Sequence, residues 1–304
     1  MFLTRLISTI LILAAILTSG CGRKMEVNEG PGNRVFTDGL KRRVVIGSTP
    51  PQRIISLAPN ITEILFALGL GAKVVGVTAY CDYPDEAKNK ARIGDTIHPD
   101  LERLVAMRPD LVVVSTASQL ESLAGKLGEL SIPVYVTNPR TVREVAASIL
   151  ALGEVTGATA RASEIATEME RRISAVESRV KSLPRLKVLY VLQTAPLITA
   201  GRNTFINDLI DLAGGISISG AETADYPQFS RETVISRAPE VIIAPASHGA
   251  GVVSQDDLRR DFATTPAVKF NRIVRVNPDW VDRPGPRIIE GLEQMAQGLH
   301  PNSP

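Results

Sequence analysis

The chain has 304 residues, with 34 Lys and Arg against 32 Asp and Glu, three His and two Cys. At 44% apolar and 22% charged it carries enough hydrophobic residue for a packed core, which excludes wholesale disorder. A net charge of +2 without a basic run excludes a nucleic-acid-binding arm, and three scattered histidines (His98, His248, His300) with two cysteines exclude a His/Cys metal cluster.

The N-terminus reads as an address. Arg5 supplies a positive start, and residues 6–17 form an apolar stretch too short to span a membrane. Thr18, Ser19 and Gly20 then lead into Cys21. This resembles a bacterial lipoprotein signal of residues 1–20, in which Cys21 is acylated and the protein is exported and held at the membrane surface or in the periplasm. Cys81 then has no partner, and the mature chain has no disulfide. Residues 21–33 are polar, with Gly30-Pro31-Gly32, and read as a tether.

Residues 35–37 and 43–46 are β-prone runs around Asp38-Gly39, a hairpin signal. From Arg53 short apolar strands alternate with helical patterns. Strands are expected at 54–57, 74–77, 111–114 and 134–136, and helices at 62–70, 101–107 and 120–130. Such alternation predicts a parallel sheet covered on both faces, a first lobe over 34–140. Residues 141–182 carry no strand. They open on the capping box Thr141-Val142-Arg143-Glu144 and keep helical apolar spacing from Val145 to Val180, so one long connecting helix is expected, kinked at Gly157. Alternation resumes over 183–300, with strands at 186–192 and 273–276. The expected fold is α/β, two Rossmann-like lobes joined by one long α-helix.

The lobes echo each other. Residues 101–114 and 231–244 both read as a short helix, a proline (Pro109, Pro239), an acid (Asp110, Glu240) and an aliphatic strand. Glu102 and Glu232 each stand seven residues before the proline. An acid in a first helical turn suits the macrodipole; a matched pair of exposed acids also suits a partner with two related basic patches. No phosphate loop, nucleophile elbow or H-E-x-x-H occurs, so no enzyme is expected. The pair Asp256-Asp257 reads as a solvated helix start.

The segments RIISLAPNITEILFALGL (53–70), VVGVTAYCDYPDEAK (74–88), DLERLVAMRPDLVVV (100–114), QFSRETVISRAPEVII (228–243) and DWVDRPGPRII (279–289) resemble ABC-importer substrate-binding proteins with a rigid helical backbone. Within that superfamily the pattern is most similar to the periplasmic vitamin B12-binding proteins. The resemblance runs from about residue 35 to 300 and implies a monomer with a ligand cleft between the lobes. It also implies delivery to a membrane permease driven by an ATPase. Glu102 and Glu232 fall on the positions that pair with permease arginines in that family, a charge-assisted geometry.

The same resemblance places Tyr80, Ile198, Tyr226, Asp279, Trp280 and Arg283 at ligand-contacting positions. The implied ligand is cobalamin or a related corrinoid, with no catalytic cofactor. This chain departs from the pattern where residues 94–97 lack a tryptophan, where Ser115 replaces a large aromatic, and where Ile198 replaces another. Less ring area reshapes such a pocket. Haem, with Tyr80, Tyr226 or His248 as axial ligand, and a ferric siderophore, with Arg202, Arg231 and Arg283 on its oxygens, are the alternatives. A surface-anchored scavenger or sensor that works without a permease is the reading of a different class.

Overall fold

Asp38 organises the first element. Strands β1 (Arg34–Thr37) and β2 (Arg43–Ile46) pair antiparallel. In the five-residue turn between them the Asp38 carboxylate accepts the backbone N–H groups of Leu40 and Arg42 at 3.0 and 2.9 Å. It also pairs with the Arg42 guanidinium at 2.7 Å. These bonds are the reason an Asp-Gly turn closes this hairpin. The computed structural model describes residues 32–96, 98–115, 120–246 and 253–302. The expected signal 1–20, Cys21, all but the end of the tether 21–33, and His248 lie outside the described residues.

The first sheet is wholly parallel, in the order β5-β4-β3-β6-β7. Its strands are β3 (Ile54–Ser56), β4 (Val74–Val77), β5 (Ala91–Arg92), β6 (Leu111–Ser115) and β7 (Val134–Thr137). Helices α1 (Pro59–Ala67), α2 (Leu101–Ala106) and α3 (Leu120–Glu129) connect them. The continuous aliphatic runs follow from burial on both faces. In β6, Leu111 and Val113 enter one core cluster while Val112 and Val114 enter another.

Residues 141–182 are not one helix. Helix α4 (Val142–Thr156) ends at Gly157, whose φ of 77° no side chain adopts without strain, and α5 (Thr159–Val180) folds back along it. Arg143, at the start of α4, reaches Glu170 and Glu177 of α5 at 3.0 and 2.7 Å. A Cβ on Gly153 would lie 2.3 Å from the Ala162 methyl, so glycine allows the two helices to touch. The 3.6-residue spacing runs through both helices, and spacing alone cannot tell a kink from a reversal. The apolar side of α5, from Ala162 to Val180, joins a core cluster that contains residues of both sheets.

The second sheet is parallel in the order β11-β8-β12-β13. It comprises β8 (Leu186–Tyr190), β11 (Gly215–Ser217), β12 (Val241–Pro245) and β13 (Ile273–Val276). A small antiparallel pair, β9 (Gln193–Thr194) and β10 (Leu197–Ile198), follows β8. The helices of this part are α6 (Phe205–Leu212), α7 (Arg231–Arg237), α8 (Gln255–Asp261), α9 (Pro266–Lys269), α10 (Pro278–Val281) and α11 (Ile288–Leu299). Arg172 of α5 binds Glu290 and Glu293 of α11 at 3.0 and 2.7 Å.

The sequence repeat is a structural repeat. Asp100 and Ser230 cap α2 and α7 by accepting the N–H of Arg103 and Thr233. Arg108 and Ala238, each before its proline, both have positive φ (46° and 48°). Asp110 then accepts the N–H groups of Gln52 and Arg53 at 2.7 and 2.8 Å, and Glu240 accepts the N–H of Lys187 at 2.8 Å. The acid after the proline thus fixes the start of the neighbouring strand in each lobe.

Candidate ligand cleft

In a parallel sheet the loops after the strands converge at one edge, and ligands gather there. Here the two sheets bring such loops together around a cleft of about 530 Å³. From the first sheet come Ala58, Pro59 and Asn60 after β3, Ser115 at the end of β6, and Asn138, Pro139 and Arg140 after β7. Leu192, Ile198, the start of α6, Tyr226 and the run Asp282-Arg283-Pro284 close it from the other side. The segments are fixed locally. Ser56 and Thr62 hydroxyls share a 2.8 Å hydrogen bond beneath the start of α1, and Thr204 caps α6 by accepting the N–H of Asn207.

Of the residues expected at the ligand, Ile198, Tyr226 and Arg283 line the cleft. Tyr80 does not line it and is 61% exposed. Asp279 stands behind Arg283 and binds it at 3.0 Å. Trp280 is partly buried outside the lining; its carbonyl approaches Gly291, where a Cβ would lie only 2.6 Å away. Tyr83 lies beneath the Arg287 guanidinium at 3.6 Å, and Phe229 is buried beneath Arg237. Ring area in the cleft reduces to Tyr226, half exposed, and Phe205, buried at its wall.

Sequence reasoning missed Asn60, Asn138, Arg140, Phe205 and Asp282. Their shared signal was position: each follows or opens an element at the sheet edge that faces the cleft. Both cleft arginines are engaged across it. Arg283 binds Asp82 of the first lobe at 2.7 Å, and Arg140 donates to the Asn203 carbonyl at 3.2 Å and pairs with Asp225. Burial works against the Arg283 charge, but the hydrogen bond it donates to Asp82 and the fields of Asp279 and Asp82 prevail and raise its pKa. Burial also opposes the Asp82 carboxylate, yet Arg283 holds it below its ordinary value.

Asp282 is the acid that remains. It lies in the cleft wall, and the hydroxyl of fully buried Tyr190 donates to its Oδ1 at 2.6 Å. Burial pushes its carboxyl up to about 6, helped by repulsion from Asp279 and opposed by the Tyr190 bond and Arg283. The Tyr226 phenol is likewise raised, first by burial and then by Asp225. Asn60, Ser115, Asn138 and Thr204 add polar side chains to the lining.

Glu102 and Glu232 are both exposed and occupy the second position of α2 and α7. Backbone N–H and the Ser230 hydroxyl, which face the Glu232 carboxylate, lower its pKa. Arg202 and Arg231 lie outside the cleft lining, the latter bonded to the Asp261 carbonyl at 2.6 Å. Among the described residues no group of three or more His, Cys, Asp or Glu side chains is placed to hold a metal ion, and no helix is long and apolar enough to cross a membrane.

The sequence profile of the family described as Periplasmic binding protein matches residues 54–279. A Bacillus subtilis protein named an uncharacterized ABC transporter substrate-binding lipoprotein, YvrC, is 29% identical over 96% of both chains. The crystal structure of the periplasmic vitamin B12-binding protein BtuF of Vibrio cholerae superposes with a TM-score of 0.73 at 29% identity, covering 83% of this chain and 97% of its own. The periplasmic heme-binding protein RhuT from Roseiflexus, in apo form, gives a TM-score of 0.73 at 28% identity over 82% and 98%.

Proposed function

This chain belongs to the periplasmic binding protein family, a non-catalytic substrate-binding family of ABC importers, and from that premise we propose that it captures cobalamin or a related corrinoid and delivers it to a permease. The observation that carries the ligand class is the charge state of the cleft. Arg140 and Arg283 are already neutralised by Asp225, Asp82 and Asp279, and Asp282 adds a carboxyl of its own. A corrin rim bears neutral amide groups, which suit Asn60, Ser115, Asn138 and Thr204. Haem carries two carboxylates, which must displace existing acids from both arginines.

Haem is the second reading, favoured by the equal similarity to RhuT. Its ferric iron takes an axial Tyr or His, and the raised Tyr226 phenol opposes phenolate ligation. A ferric siderophore finds only Arg283 of the three expected arginines. Ile198, Tyr226 and Arg283 are the contacts in this proposal, with Asp279 behind Arg283. Tyr80, on the turn after β4, and Trp280, in α10, lie outside the lining and are the weaker contacts.

Glu102 and Glu232 are the permease-docking residues of the proposal, supported by their matched, exposed places on the repeat. Cys21 carries the lipid, in keeping with the lipoprotein name of the Bacillus relative, and the mature protein works as a monomer outside the cytoplasm, its first lobe spanning 34–140 and its second 183–300. The test is calorimetric titration of the full chain in detergent with cyanocobalamin, haemin and ferrichrome. Cyanocobalamin binds and the other two bind weakly or not at all; haemin binding without corrinoid binding overturns the ligand class.

A further inference from the structure

We infer that Asp282 is the specificity-determining acceptor of the cleft, taking an N–H donor from the amide rim of the ligand, with Tyr190 as its positioning residue. This rests on the corrinoid reading above and names the group that reads the ligand's chemistry.

The geometry is asymmetric. Oδ1 of Asp282 is occupied by the Tyr190 hydroxyl at 2.6 Å, and Tyr190 is fully buried in β8, so the carboxylate plane is fixed from beneath the sheet edge. Among the described residues no other hydrogen bond reaches the Asp282 side chain, which lines the cleft; its backbone N–H donates to the Pro278 carbonyl at 2.8 Å. Asp282 is the one acid among the described lining residues, and its second oxygen is the one that Tyr190 leaves open to the cleft. The two arginines that line the cleft bind other acids: Arg283 binds Asp82 and Asp279, and Arg140 binds Asp225. A carboxylate in this position accepts N–H groups, and it repels a ligand whose rim carries carboxylates. Hydrogen bonds to a charged partner are the strong ones, so a single acceptor is enough to discriminate.

The test uses the full chain and three probes: cyanocobalamin, haemin, and a corrin whose rim amides are replaced by methyl esters and offer no N–H. The variants are Asp282→Asn and Tyr190→Phe, each checked for a cooperative melt. Wild type prefers cyanocobalamin to the ester. In Asp282→Asn the cyanocobalamin affinity falls about tenfold or more and the preference over both ester and haemin narrows by a like factor.

Tyr190→Phe separates positioning from bulk structure by the pH profile. Wild-type affinity for cyanocobalamin declines as pH falls through the Asp282 midpoint. Loss of the Tyr190 donor moves that decline to higher pH, with Asp279, Arg283, Tyr226 and Arg140 as the unchanged ionisable neighbours. An unaltered preference in Asp282→Asn, with cyanocobalamin still bound tightly, overturns the inference and leaves the corrinoid reading standing. Absence of cyanocobalamin binding in wild type overturns both.

Discussion

Glu63 of α1 receives Arg287 from the far lobe through three contacts: the backbone N–H at 3.0 Å, Nε at 2.9 Å and Nη2 at 2.8 Å. The glutamate side chain is 4% exposed, and the guanidinium rests on the Tyr83 ring. Together with Asn60, which donates to the Pro284 carbonyl at 3.3 Å, it ties the start of α1 to the approach to α11. Removing one partner leaves a buried charge without compensation. Glu63→Gln is expected to destabilise by about 3 kcal/mol. The double variant Glu63→Leu/Arg287→Met recovers most of that. Urea unfolding of the set checks it, and equal losses in single and double variants contradict it.

Asp282 makes stability pH-dependent. Its folded carboxyl sits at about 6 against an ordinary 3.8, so the folded state holds the proton longer than the unfolded one. Its contribution is full below pH 3.8 and is lost as pH rises through about 6. The loss is on the order of 3 kcal/mol. Wild type should lose stability relative to Asp282→Asn between pH 4 and 7. A constant difference over that range refutes the assignment.

Gly157 permits the reversal between α4 and α5. Its φ is 77°, and a Cβ there would lie 2.9 Å from Pro50 Cγ. Gly157→Ala should cost about 1–2 kcal/mol for the left-handed backbone alone, read as a lowered denaturation midpoint with an unchanged m-value.

Glu102 and Glu232 should matter to delivery and not to capture. The double alanine variant keeps the calorimetric affinity of the parent, and corrinoid uptake by cells carrying it falls to background. Undiminished uptake removes the docking role.

Cys81 is sealed in the core, its thiol and the Thr78 hydroxyl sharing a hydrogen bond at 3.1 Å. Ellman's reagent should find no thiol in the native exported protein and one after denaturation. Two thiols after denaturation mean that Cys21 is not acylated.

Most of the sheet elements were legible because aliphatic runs such as 111–114 and 241–244 follow a proline and an acid. The Asp38-Gly39 turn was equally plain, since its carboxylate chemistry is local. The β9 and β10 pair was not: two residues per strand give no periodicity. Residues 141–182 misled because helical spacing continues on both sides of Gly157, and contacts made after the reversal, such as Gly153 on Ala162 and Arg143 with Glu170, are what distinguish two helices from one. At the cleft, Ile198, Tyr226 and Arg283 were visible through resemblance. Asn60, Asn138 and Asp282 were not, because a polar residue after a strand reads the same whether it faces water or a ligand. Trp280 shows the converse, an aromatic expected at the ligand that lies in α10 outside the cleft lining.

The capped starts of α2 and α7 lead through a proline to strands β6 and β12. A helix that crosses between parallel strands runs opposite to them, so its first turn stands at the edge where the strands end. Glu102 therefore shares an edge with Ser115, which ends β6 in the cleft wall, and Glu232 stands at the matching edge of the other sheet. In the proposed docking, a permease that grips both acids would lie over the mouth of the cleft. Docking at that edge would make unloading a direct transfer out of the cleft rather than a journey around the carrier.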